Sequence, residues 1–197
     1  MKRSFFPALA GVLCLLLASC VTVSVNPLSS PDTAQVDPRL VGNWQAKKNH
    51  DLFQFTITKG AWMHVKITSE NVGDKPDAYD LFPTVIGKNT FLNVVDNGKD
   101  DQGNPTKGYY FLRYKVSGDH VLHMWMISPD TAAAAVRSGK LQGLIKEDNS
   151  PIMGVKPTHP DINVTFQDTT ANLVAFIQKS DLDDLFSEKM ETLYRVK

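Results

Sequence analysis

Tyr109-Tyr110-Phe111-Leu112-Arg113-Tyr114-Lys115-Val116, then Ser117-Gly118, then Asp119-His120-Val121-Leu122-His123-Met124-Trp125-Met126-Ile127, is the stretch whose reading decides the fold. Side chains of a strand alternate sides, so Tyr110, Leu112, Tyr114 and Val116 share one face of the first arm. A Ser-Gly pair between two such runs is hairpin chemistry. The second arm has no wet face, because Leu122, Met124 and Met126 alternate with Val121, Trp125 and Ile127. A strand apolar on both sides must be covered on both sides. One row is expected to face a barrel interior and the other to pack beneath a helix starting near Pro129.

Working outward, the same period-two pattern recurs upstream. Phe53, Phe55 and Ile57 alternate with Gln54, Thr56 and Thr58; after Lys59-Gly60, Met63, Val65 and Ile67 alternate with His64, Lys66 and Thr68. Leu81 to Ile86 and Thr90 to Val95 are less regular strands, and the polar stretch from Asp96 to Lys107 reads as a loop. Downstream, Pro129 opens a helical run to Val136, with Gly139 placed to stop it. Thr169 or Thr170 caps a second helix whose Leu173, Val174, Phe176 and Ile177 form one apolar stripe. Ser180 with Asp183 three residues on reads as a capping box for a further short turn. Met190 to Val196 then reads as a closing strand. The expected fold is mainly β, an antiparallel barrel with one or two packed helices in the second half.

At the N-terminus, Lys2 and Arg3 precede a mostly apolar run of 13 residues, Phe5 to Leu17, followed by Ala18-Ser19-Cys20. A membrane-spanning helix needs about 20 apolar residues. Thirteen ending in small residues fits a cleavable leader instead. Leu17-Ala18-Ser19-Cys20 resembles the lipobox of bacterial lipoproteins. That resemblance implies removal of residues 1–19, a diacylglycerol on the Cys20 thiol and usually a further acyl chain on the new amino terminus. Two or more chains anchor stably where one holds only marginally. Val21 follows Cys20 where an aspartate would matter, which in enteric-type sorting favours the outer membrane, facing the periplasm.

Residues 20–38 carry Pro27, Pro31 and Pro38 and no aromatic. They read as a lipidated tether, with a reach of about 25 Å if flexible. The alternation of Val21, Val23 and Val25 fits an added edge strand instead. The barrel domain is then 39–197. Cleavage removes Cys14 and lipidation consumes Cys20, so the mature chain has neither a free thiol nor a disulfide to support it. Taking 19 residues from 197 leaves 178, with 19 basic against 21 acidic side chains and a net charge near −2. That balance excludes a generally basic nucleic-acid binder, and the length suits one domain.

Leu40-Val41-Gly42-Asn43-Trp44 resembles the Gly-x-Trp opening of lipocalin-type barrels. From about residue 38 to 197 the chain is similar to a group of bacterial lipoproteins that share this opening. They also share the tail Thr169-Thr170-Ala171-Asn172-Leu173-Val174-Ala175-Phe176-Ile177 followed by Asp184-Leu185-Phe186. The resemblance implies that Trp44 closes the narrow end of the barrel and that Arg195, from a late strand, packs across it.

Chemistry for catalysis is sparse. His120 and His123 lie three apart on an expected strand and point to opposite faces, so they do not share a metal. The acidic stretch from Asp96 lacks the glycine and glutamate of a calcium loop, with Asp101 and Lys107 at those places. No nucleophile elbow, phosphate-binding loop or dinucleotide fingerprint occurs. The expectation is a protein that is not an enzyme and takes no cofactor or metal. The methionines and aromatics suggest a greasy interior lined by Phe53, Phe55, Phe91, Leu122, Met124 and Met126. Barrel mouths are common pockets, so a small hydrophobic or lipid ligand is one expectation. The alternative is a filled barrel serving as an envelope interaction module or a periplasmic inhibitor.

Overall fold

The computed structural model describes residues 21–71, 74–98, 106–148 and 161–197. The leader 1–19, Cys20, His159 and residues 99–105 of the acidic stretch lie outside them. The elements run β1 (Thr22–Ser24), β2 (Gly42–Ala46), β3 (Leu52–Ile57), β4 (Met63–Thr68), β5 (Asp77–Ile86), β6 (Asn89–Val95), β7 (Tyr109–Ser117) and β8 (Val121–Met126). Then come α1 (Pro129–Arg137), β9 (Gly143–Asp148), β10 (Asp161–Phe166), α2 (Thr170–Lys179), α3 (Leu182–Leu185) and β11 (Glu188–Val196).

Eight strands close on themselves. β2 to β8 pair antiparallel in chain order, and β11 completes the ring between β8 and β2. Closure leaves no edge in the barrel wall. The hairpin arms form β7 and β8 with Leu112 opposite Met126 and Val116 opposite Leu122. Gly118 takes a φ of 56° in the turn.

The inner face of the wall and part of its outer face are buried, in two separate clusters. Inside lie Trp44, Phe55, Met63, Leu81, Leu92, Leu112, Leu122, Met124 and Leu193. Outside, Phe91, Phe111 and Ile127 pack with Leu173, Ile177, Leu185 and Phe186 from α2, α3 and the residue after it. The outer row of β8 is thus covered at Trp125 and Ile127, but not as expected: the helix that starts at Pro129 packs chiefly on β9, β10 and α3.

A three-stranded annex completes the outer layer. β9 and β10 form a hairpin, β1 lies parallel to β10, and a single pair, Ser24 with Tyr109, joins β1 to the barrel. Ile162, Val164 and Phe166 turn inward from β10. Gly108 makes the join possible, since a Cβ there would lie 2.6 Å from Val23 Cγ1 and 2.9 Å from the Ser24 carbonyl oxygen.

The helix caps follow local chemistry. Ser128 and Thr169 cap α1 and α2. The cap of α3 is Asp181, which accepts from the Asp183 amide at 2.9 Å, so it falls one residue after the expected Ser180. Ser180 Oγ instead donates back to the Phe176 carbonyl at 2.8 Å and closes the end of α2.

The segment 21–38 is not a free tether; of the two readings of this stretch, the strand is the one present. Val21 N donates to Asn163 Oδ1 at 3.1 Å, and Val164 N donates to the Val21 carbonyl at 2.8 Å. Asn26 Nδ2 donates to the Asp168 carbonyl, and Thr170 Oγ1 to the Pro27 carbonyl. Leu28 N then donates to Asn93 Oδ1 at 2.7 Å, where Asn93 is fully buried on the outer face of β6. Asn93 Nδ2 reaches Thr84 Oγ1, which in turn bonds Ser29 Oγ. Buried polar groups need partners, and these groups find them in the strap. The segment runs from the annex, over β5 and β6, to the underside of the barrel at Asp37, where Tyr114 donates to its carboxylate at 3.0 Å.

Candidate functional site

The barrel has one sealed end and one end closed only in part. At the sealed end Trp44 is completely buried, and its indole Nε1 donates to the Leu40 carbonyl at 2.7 Å. Arg195, paired with Trp44 across β2 and β11, holds its guanidinium carbon 4.2 Å from the ring centroid. That guanidinium also donates to the carbonyls of Asp119, Val41 and Arg39. Gly42 has a φ of 123°, and a Cβ on it would come within 2.8 Å of Arg195 Nη1. The Gly-x-Trp spacing thus has a physical reason: strand alternation sets Gly42 and Trp44 on the same inward face, beneath one arginine.

Beside this end, burial works against ionisation of Asp37, yet hydrogen bonds from the Arg39 side chain and backbone and from Tyr114 outweigh it. The Asp37 carboxyl is left below its ordinary range. Burial, with that carboxylate alongside, pushes the Tyr114 phenol up.

At the opposite end, each of the eight strands contributes one inward residue to the rim. Ala46 and Val94 are buried, whereas Phe53, Ile67, Tyr79, Tyr110, Met126 and Met190 keep part of their surface open while packing on the interior cluster. Tyr110 is pushed up by burial and by the Asp96 carboxylate to which it is hydrogen-bonded. Asp51, in the β2–β3 connection, is also raised by burial, against hydrogen bonds from Glu70, Asn49 and Ser69. The rim at this end is apolar and partly exposed, edged with phenols and carboxyls.

Below the rim the interior is packed. Leu122 is 0 % and Met124 2 % accessible, and Phe55, Leu81, Leu92 and Leu193 are equally closed. Side chains so close to zero have no water-sized space beside them, because voids would expose surface too.

Of the six residues expected to line a pocket, Phe53 and Met126 sit at the rim, and Phe55, Leu122 and Met124 in the packed layer beneath it. Phe91 is elsewhere, and this is a correction. It points out of the barrel and packs on Phe186, ring centroids 5.3 Å apart. Asn93 shares its face of β6, and that face is covered by the helices and the strap. Ile67, Tyr79, Tyr110 and Met190 stand at the rim too and are not among those six. What they share is position, since each lies on the inward face toward the open end of its strand.

A concavity lies outside the barrel. An open groove of about 900 Å³ runs between α1 and the α2–α3 corner, floored by Ala134, Ala135 and Phe176 and edged by Lys140, Lys179 and Asp184. His64 and Asp80 form a cross-strand pair at 2.9 Å on the exposed outer wall. His123 faces outward beside Trp125 and Thr192, while His120 lies in the turn. Among the described residues no group of three or more His, Cys, Asp or Glu side chains could hold a metal ion. None of their helices is long and apolar enough to cross a membrane.

Comparison of the chain with protein-family models, curated proteins and solved structures gives no match in any of the three. The architecture itself is a closed eight-stranded antiparallel barrel with its helices in the C-terminal half, compatible with a calycin-like fold.

Proposed function

We propose that the protein is an envelope lipoprotein with no catalytic task, anchored through acylated Cys20, whose barrel takes a small hydrophobic ligand at its open rim. The observation that carries the ligand reading is the contrast along the barrel axis. Phe53, Ile67, Tyr110, Met126 and Met190 keep accessible apolar surface, while the layer beneath them is closed. Such a rim suits the end of an acyl chain or a compact apolar group, not a chain threaded through the barrel. Two methionines at the rim suit irregular guests, because their side chains are flexible and polarisable. The Leu17 to Cys20 spacing supports the anchor, which would keep the rim near a membrane source of ligand.

Titration with lysolipids and fatty acids, followed by tryptophan fluorescence, tests this. Trp44 pairs with rim residue Phe53 across β2 and β3, so occupation of the rim is expected to give a saturable change. Met126→Glu should abolish it by placing a charge in the rim. No saturable change for either ligand class would remove the ligand reading.

The packed interior and the α1–α2 groove favour the second reading, an interaction module with a filled barrel. On that reading substitutions in the groove, such as Ala134→Glu, impair function while rim substitutions do not.

A further inference from the structure

We propose that the outer face of the annex sheet lies directly against the bilayer, with no linker between lipid and fold; the inference rests on anchoring through Cys20. The first support is the distance available. Val21 is held at both its amide and its carbonyl, donating to Asn163 Oδ1 and accepting from Val164 N. Consecutive Cα atoms are about 3.8 Å apart, so an acylated residue 20 cannot stand away from β1. A free tether would let the domain tumble at some distance, whereas this attachment brings the membrane to the annex.

The second support is the face presented there. Thr22 pairs with Val164 and Ser24 with Phe166, and these four turn toward the core. Strand alternation therefore sends Val21, Val23 and Val25 to the other side, with Asp161, Asn163 and Thr165 of β10 and their partners Asp148, Lys146 and Leu144 of β9, a face that is polar at one end and apolar at the other. Leu144 is 60 % exposed and Val25 48 %, both unusually open for large apolar side chains. They lie on the same sheet face as the residue next to the anchor. Bilayer headgroups and upper acyl segments cover such side chains, and the acyl chains on Cys20 supply most of the attachment.

The test uses the full-length, lipidated protein in vesicles of phosphatidylethanolamine and phosphatidylglycerol. Once Cys20 is acylated and the leader removed, an introduced cysteine is the only free thiol. An environment-sensitive fluorophore is attached to Leu144→Cys, or to Ile57→Cys on β3, the strand opposite β7 in the ring. Both sites are exposed. Nitroxide-labelled lipid is expected to quench the probe at 144 several-fold more than the probe at 57. Equal quenching at the two sites in vesicle-bound protein would mean a freely tumbling domain and overturn the proposal. A probe at 144 shielded from water but not quenched by lipid would mean that a protein covers this face, which also overturns it. Mass spectrometry of the same sample separates these failures from failure of the anchor: an unacylated Cys20 would remove both readings.

Discussion

The guanidinium of Arg195 lies 4.2 Å over the ring of Trp44 and at the same time donates 2.8 Å to the Val41 carbonyl, tying the last strand to the entry of the second. Each residue therefore depends on the other for its surroundings. Trp44→Ala removes a completely buried indole and should cost about 3–5 kcal/mol. Arg195→Ala should cost less, since a cation over an aromatic ring contributes about 0.5–2 kcal/mol and its remaining partners are carbonyls near water. Denaturant melts of the two single variants and the double variant should give non-additive losses. Strict additivity would mean that the stacking contributes nothing.

Gly42 answers to the same arginine. Its φ of 123° is a conformation that side chains avoid, and a Cβ meets Arg195 Nη1 at 2.8 Å. Gly42→Ala should therefore destabilise by about 1–3 kcal/mol. Part of that loss should vanish in an Arg195→Ala background, where the clash is relieved and only the backbone cost remains. Thermal melts of the four proteins measure both terms.

The strap has its own signature. Asn93→Ala leaves Leu28 N without its buried acceptor and removes one of the two side-chain partners of Thr84 Oγ1, at a cost of about 1–3 kcal/mol. Gly108→Ala presses on Val23 and Ser24. Amide hydrogen exchange should speed up over residues 21–29 in both variants, while β2 to β4 keep their protection. Exchange as slow as in the parent would show that these contacts do not hold the segment.

Asp168 sets an acid limit. Its carboxylate accepts from the amides of Gln142 and Thr169 and from Asn172 Nδ2 at 2.6–3.0 Å. The Gln142 bond leads in holding the carboxyl below its ordinary 3.8, against burial, with Asn172 and Thr169 adding to it. A depressed folded-state value means that the ionised form favours folding. That stabilisation is present above the unfolded value and is lost as pH falls through the folded one. Asp37 is depressed as well and acts in the same direction. Stability measured at neutral pH and at about pH 3 should fall less for Asp168→Asn than for the parent, although the variant starts lower at neutral pH.

Much of the barrel is legible along the chain, because period-two alternation marks β3, β4 and β7, a doubly apolar run after a Ser-Gly turn marks β8, and turn chemistry separates them. The annex shows both the reach and the limit of such reading. β10 alternates cleanly, with Ile162, Val164 and Phe166 against Asp161, Asn163 and Thr165, so its signal is in the sequence though it was not among the expected strands. β9 has no such signal: Leu144-Ile145 are followed by three charged residues, and only its pairing with β10 makes it a strand. Phe91 misleads because Phe91 and Leu92 are both apolar, and which of them faces inward depends on the helices packed outside. Asn93 carries the missing information, since it shares Phe91's face and its partner Leu28 is 65 positions away. The rim is harder still, for nothing in Ile67 or Tyr79 distinguishes an open end from a closed one until the ring is assembled.

The anchor on Cys20 is the claim on which the membrane-facing account depends, and fractionation of cells expressing the parent and Cys20→Ala tests it most directly. The account predicts that the parent floats with envelope membranes as a processed, acylated chain, and that Cys20→Ala is either released in soluble form or left unprocessed. A Cys20→Ala protein that is still processed and still membrane-bound would contradict it.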